Sequence, residues 1–246
     1  MLYEGLVLSY LRRYDYQGRV VRLDTFSKTL APGCRLGWIT CLPIFAERIE
    51  RASETATQAP CGFSQSLVSA LLMQWKYDGF IRWAHGLAQQ YTRRRSLFID
   101  LLGQQFDLQP EATSANSKDH GHTVYLAYRK NPKYFPSPRS RDDKEVPVFS
   151  FVPPLSGMFV WLTFHFDDRL LSLTKGEETI EQRFWAVVAK EGLLIGPGYM
   201  FAADPSVPAR DHRTGHFRIS FSSVEDHVMA DAVQRLASAV DNFYNV

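Results

Sequence analysis

The sequence is short of cysteine, of long apolar runs and of charge excess, and each shortage excludes something. Only three of its 246 residues are cysteine, at Cys34, Cys41 and Cys61. An odd number without a C-x-x-C pair argues against a disulfide framework and against a zinc site. No window approaches the roughly eighteen consecutive apolar residues of a membrane span. The opening Met-Leu-Tyr-Glu has no basic stretch leading into an apolar one, so no signal peptide is expected. With 28 Lys+Arg against 26 Asp+Glu, the net charge is +2, without the concentrated basic face of a nucleic-acid binder. Aromatic residues, in contrast, are plentiful: 17 Phe, 11 Tyr and 5 Trp within a 45% hydrophobic composition. Such a chain buries a sizeable core instead of staying solvated. The default expectation is a cytoplasmic protein with neither nucleic acid nor membrane as partner.

Periodicity places elements along the chain. Arg19–Leu23 and Arg35–Thr40 read as short strands, separated by a turn-rich segment with Ala31-Pro32-Gly33. Helical spacing predicts helices over Pro43–Thr57, Gly62–Trp75 and Gly79 to about Gln105. The last has Phe80, Trp83, Leu87, Tyr91, Phe98, Leu101 and Leu102 on one face. The stretch 109–147 is polar apart from the island Val124–Ala127 and reads as a surface insertion with a local strand. Beyond it come apolar runs at Val148–Val152 and Met158–Phe164, a helix at Glu177–Lys190 and a strand at Leu193–Ile195. A Gly-Pro-Gly turn, a strand at His216–Phe221 and a helix at Val224–Phe243 with Ser223 and Asp226 at its cap complete the pattern. Strands mixed with long helices define an α/β or α+β class. His120 and His122 lack cysteine or acidic partners at ligand spacing, so no metal site is expected.

The chemistry concentrates in Asp24-Thr25-Phe26-Ser27-Lys28-Thr29-Leu30-Ala31-Pro32-Gly33-Cys34-Arg35-Leu36-Gly37-Trp38. Lys28 follows a strand, where α/β sheets present ligands at the carboxyl edge. Its amine could condense with an aldehyde if burial or a neighbouring cation lowered its pKa. Thr25 and Ser27 supply hydroxyl donors, and Arg35 supplies a fork suited to phosphate. The grouping is consistent with an aldehyde that carries a phosphate.

This segment resembles the lysine signature S-F-S-K-x-x-x-P-G-x-R-x-G-W/F of the fold-type I, class I/II aminotransferases, which use pyridoxal 5′-phosphate (PLP). The flanks are similar to those of fungal aromatic and kynurenine/2-aminoadipate aminotransferases: Gln17–Asp24 before the lysine and Gln58–Gln65 after it. Further on, Gly157–Trp161 (GMFVW) resembles a small-domain strand of that family, Leu194–Phe201 (LIGPGYMF) a turn, and Phe217–Ser222 (FRISFS) a later strand. The resemblance implies an α/β fold with an incomplete large PLP-binding domain over 1–108, the insertion over 109–147, and a small α+β domain over 148–246.

By resemblance, Lys28 forms the internal aldimine and moves the substrate Cα proton, Ser27 and Arg35 hold the cofactor phosphate with Thr25 beside them, and Arg218 pairs with the substrate carboxylate. Phe159, Tyr199, Met200 and Phe201 are weaker candidates for the side-chain pocket, and Phe159 and Phe201 read as plain core ahead of that role. An amino acid and a 2-oxo acid are the implied substrates, and a homodimer the implied assembly. Carbon–sulfur lyases and 1-aminocyclopropane-1-carboxylate synthases share the lysine motif. The family's upstream phosphate turn, ring-stacking aromatic and Asp-Pro-Tyr-Tyr segment have no counterpart before Lys28, and neither Asp15 nor Asp24 stands in that context. A second reading is therefore an N-terminally truncated, inactive fragment or a paralogue that pairs with a full-length partner.

Overall fold

The computed structural model describes residues 17–112, 123–130, 146–172, 174, 178–204 and 213–245. His120, His122 and most of the 109–147 stretch lie outside the described residues. The chain divides into two compact units, Met1–Gln90 and Tyr91–Val246. The division falls inside a helix, upstream of the 108 boundary read from the sequence.

In the first unit, β1 (Arg22–Thr25) and β2 (Gly37–Thr40) form an antiparallel two-stranded ribbon, from Arg22↔Thr40 to Thr25↔Gly37. Gly37 is required by close approach: a Cβ there would stand 2.5 Å from the Asp24 carbonyl oxygen. The helix α1 (Pro43–Ala56) starts with proline at its first position, where the missing N–H costs nothing. The helix α2 spans Gly62–Gln105 and contains Lys76 at φ 54°, ψ −168°. The two helices expected here thus run into one element broken at Lys76, inside the expected gap. Leu36 and Val68 are the buried apolar side chains among the unit's described residues.

The second unit is a six-stranded antiparallel sheet covered by helices, in the order β3-β4-β5-β6-β8-β7. Its strands are β3 (Phe106–Ala112), β4 (Thr123–Arg129), β5 (Phe149–Phe151), β6 (Phe159–His165), β7 (Gly196–Pro197) and β8 (Thr214–Ser220). The strand expected at Val124–Ala127 is the middle of β4. The central pair runs from Phe159↔Ser220 to His165↔Thr214. Alternate residues therefore face opposite sides. Val160, Leu162, Phe164 and Phe217 are buried on one side, whereas Phe159, Trp161, Thr163, His165, His216 and Arg218 alternate onto the other.

Helices α3 (Asp168–Leu171), α4 (Ile180–Lys190) and α5 (Asp226–Tyr244) contribute to the core. Thr179 and Gln182 close a capping box at the start of α4. Phe184 sits 4.6 Å from Phe164, 5.1 Å from Phe243 and 5.5 Å from Phe217, ring centre to ring centre. Burying each such ring contributes about 1.5–3 kcal/mol. The Arg129 guanidinium, also buried, donates to Asp241 at 3.0 Å and to Asn245 at 2.7 Å, tying β4 to α5.

Two expectations need correction. Leu193–Ile195 is not a strand; Gly196–Pro197 pairs with β8 instead, at the sheet edge where a proline without N–H is tolerated. Ser223 does not cap α5, which begins at Asp226 with Glu225 as an N-cap that makes no side-chain cap bond. Among the described residues, no helix is long and apolar enough to cross a membrane.

Candidate active site

The sequence-derived residues Thr25, Ser27, Lys28 and Arg35 all belong to the end of β1 and the loop 26–36 that returns to β2. Two 3-10 turns shape this loop, Phe26–Lys28 and Pro32–Cys34, and the Phe26 amide closes it on the Leu36 carbonyl at 3.0 Å. Thr25 caps the first turn: its Oγ1 accepts the Ser27 amide at 3.1 Å and donates to the Leu36 carbonyl at 3.0 Å. Because that carbonyl can only accept, the 3.0 Å contact between the Thr25 and Ser27 hydroxyls uses the Ser27 hydrogen. The Ser27 hydroxyl thus needs one torsional step to aim outward. Lys28 ends the turn and is exposed.

Arg35 is exposed and sits in the left-handed region at φ 50°, ψ 34°. That conformation costs a non-glycine residue about 1–2 kcal/mol, and such strain collects at ligand-handling loops. Asp24 is turned to Arg22, at 2.7 Å. The indole of Trp83 donates to the Thr29 carbonyl at 2.6 Å, fixing the loop against α2 within the first unit.

Arg218 lies in the second unit, on β8 opposite Trp161 of β6 and Gly196 of β7. Its guanidinium carbon is 4.2 Å from the Phe159 ring centre and 4.0 Å from that of Phe201. Two rings at this distance favour the cation by cation–π attraction. Phe159 is half-buried and Phe201 is 41% exposed, so neither is plain core. Tyr199 and Met200, on the 3-10 turn Gly198–Phe201, are exposed beside them. The ring clamp was not read from the sequence. The available signal was strand alternation, since Phe217 facing the core puts Arg218 on the opposite side. No cluster of three His, Cys, Asp or Glu that could hold a metal occurs among the described residues.

No protein-family model matches the chain. A crystal structure of an aminotransferase from Candida albicans superposes on it with a TM-score of 0.64 at 29% identity, covering 94% of this chain and 41% of the other. The architecture is that of the fold-type I transferases. In sequence, the chain is 32% identical over 231 residues to an aromatic amino acid aminotransferase of Schizosaccharomyces pombe, covering 93% of this chain and 40% of the relative. It is 31% identical over 244 residues to an L-tyrosine:2-oxoglutarate aminotransferase of Tapinella panuoides, covering 94% and 44%. The chain is thus homologous to fungal aromatic and kynurenine/aminoadipate aminotransferases, and its structural neighbours are PLP-dependent aminotransferases. It spans about two-fifths of the length of the curated relatives it matches.

Proposed function

We propose that the protein is a PLP-dependent aminotransferase, working as a homodimer, that moves an amino group from an aromatic or 2-aminoadipate-like amino acid to a 2-oxo acid. The observation that carries this reading is the short segment 25–36, on which Lys28 and Arg35 stand together with the hydrogen-bonded hydroxyls of Thr25 and Ser27, in a chain homologous to aromatic aminotransferases. This donor set fits the cofactor: an amine for its aldehyde, and a hydroxyl with a guanidinium for its phosphate. When bound, the cofactor supplies an electron sink for the charge left at the substrate Cα. Arg35 and the Ser27 hydroxyl bind the phosphate, while Thr25 holds the turn that presents them. Lys28 Nζ would hold the cofactor through its aldehyde, then take the proton from the substrate Cα and deliver it to the cofactor's aldehyde carbon. Arg218, with the Phe159 and Phe201 rings against its guanidinium, binds the α-carboxylate through two parallel hydrogen bonds.

The test is to add PLP to the purified protein, reduce with borohydride and locate the modified peptide by mass spectrometry. A pyridoxyl group on Lys28, absent from Lys28→Ala, supports the reading, and tyrosine-to-2-oxoglutarate amino transfer lost in the same variant completes it. A folded preparation with no specific adduct overturns it. One observation favours a second reading, a subunit without activity of its own that pairs with a full-length relative. Large apolar side chains of the first unit are exposed, among them Leu23, Phe63, Leu67 and Met73, and such surface marks an interface. Under that reading the adduct forms only after mixing with the relative.

A further inference from the structure

The clamp around Arg218 depends on a turn that has little ladder to hold it. The strand β7 is two residues long, Gly196 and Pro197, paired with Arg218 and Phe217. At Gly198 the chain leaves the sheet for the 3-10 turn that ends in Phe201. Were the ladder to continue, the next partner on β8 would be His216. Its amide and that of Tyr199 are instead both taken by one side chain, Glu181 of α4. Glu181 Oε1 accepts the Tyr199 N–H at 2.9 Å, and Oε2 accepts the His216 N–H at 2.8 Å. One carboxylate therefore closes the sheet edge and fixes the turn where the backbone ladder stops, and hydrogen bonds to an ionised acceptor are the strong kind.

The junction is also tight. A Cβ on Gly198 would lie 2.6 Å from the His216 Cβ and 3.3 Å from Glu181 Oε1, and one on Gly196 would lie 3.2 Å from the Phe201 ring. The Phe201 ring thus rests on Gly196 on one side and carries Arg218 nearby, at 4.0 Å.

We propose that Glu181 is a positioning residue for Arg218: its carboxylate fixes the Gly198–Phe201 turn, which keeps the Phe201 ring over the guanidinium and so keeps the guanidinium edge aimed at a carboxylate. This rests on the reading that Arg218 takes the substrate carboxylate. Glu181 does not itself touch the ligand; it acts through the turn and the ring.

The test uses the full chain, isotope-labelled at arginine, with the side-chain resonances of Arg218 identified by their loss in Arg218→Lys. In the wild type, the Phe201 ring shifts the Arg218 Nε–H and Cδ protons upfield, and Phe201→Leu removes that part of the shift. Glu181→Ala is expected to move the same resonances to the Phe201→Leu positions. Glu181→Gln is expected to do so in part, because a glutamine oxygen can serve one amide while its NH2 opposes the other. In parallel, 3-phenylpropionate serves as carboxylate probe, with Kd expected to rise about tenfold in Glu181→Ala, the equivalent of one hydrogen bond of the pair.

Arg218 resonances unmoved in both Glu181 variants, while Phe201→Leu moves them, overturn the proposal. So does an absence of any shift in Phe201→Leu. If Arg218→Lys leaves probe binding unchanged, the carboxylate reading of Arg218 falls by itself, and the ring shifts still decide whether Glu181 holds the clamp. If Glu181→Ala does not fold, Glu181→Gln, of equal size, carries the test. A thermal melt unchanged in Glu181→Gln while its Arg218 shifts move separates positioning from plain destabilisation.

Discussion

The two units of the chain enclose their apolar residues very differently. In the second, phenylalanines from β5, β6, α4, β8 and α5 meet ring to ring, and Phe149, Phe164, Phe184 and Phe217 have no exposed surface. In the first, α1 buries no residue, and Phe63 is 85% exposed on α2. Yet the first unit carries Lys28 and Arg35, while the second carries Arg218 on a sheet with its own core. A packed core and a chemically equipped loop are thus separate properties of this chain. The apolar surface around the equipped loop is of the kind that partners cover.

Breaking the comparison begins in the packed unit. Phe184→Ala is expected to cost about 3–5 kcal/mol, because the surrounding rings cannot all collapse into the space. A urea titration followed by tryptophan fluorescence measures it. The counterpart on the open side, Leu67→Ala at a position 73% exposed, is expected to change stability by no more than about 0.5 kcal/mol. A large loss there would show that the first unit has an enclosed core in solution.

Tyr244 sharpens the contrast with pH. Burial, with the Asp167 charge adding to it against a smaller opposing effect of Arg129, raises its hydroxyl well above the ordinary tyrosine value. In the unfolded chain the phenol ionises near pH 10, so the folded state holds its proton longer. Stability from this group is therefore full below about pH 10 and falls as pH rises further. The expected result is an unfolding midpoint that drops in alkaline solution, with a shallower drop in Tyr244→Phe. That variant also loses the 2.7 Å hydrogen bond to the His165 carbonyl, about 1–3 kcal/mol.

The smallest effect concerns Cys61 of the open unit. Amides of Ser64 and Phe63, with the Ser64 hydroxyl, hold its exposed thiol below the usual value. More thiolate at neutral pH follows. Iodoacetamide should modify Cys61 before the half-buried Cys34 and Cys41, which a timed digest reads directly.

Much of this was legible in the sequence wherever period and local chemistry agree. Helix α4 announces itself through Ile180, Phe184 and Val188 at helical spacing, and β4 through an apolar island in polar surroundings. The β1–β2 ribbon follows from β-branched runs on either side of Ala31-Pro32-Gly33. Legibility stopped where a backbone group is served by something distant. Gly196-Pro197 reads as a turn because its strand character depends on β8 accepting it as an edge. The cap of α5 was misplaced because Ser223 has the right side chain but lies too early. Phe159 and Phe201 read as core because an aromatic residue alone does not declare which side of a sheet it faces. The β6–β8 register puts Phe159 on the side of Arg218, and the turn Gly198–Phe201 brings the Phe201 ring to it.

That register has an evolutionary corollary. Along β6 the odd-numbered positions 159, 161, 163 and 165 share the side that carries the arginine, and the even-numbered 160, 162 and 164 serve the core. Point substitutions can thus alter recognition on one parity without touching stability on the other. Deleting one residue within β6 has no such freedom, because it exchanges the two sets at once from that point along the strand. A saturation library of β6 should therefore return tolerance that alternates residue by residue, and single-residue indels there should be purged more severely than any substitution.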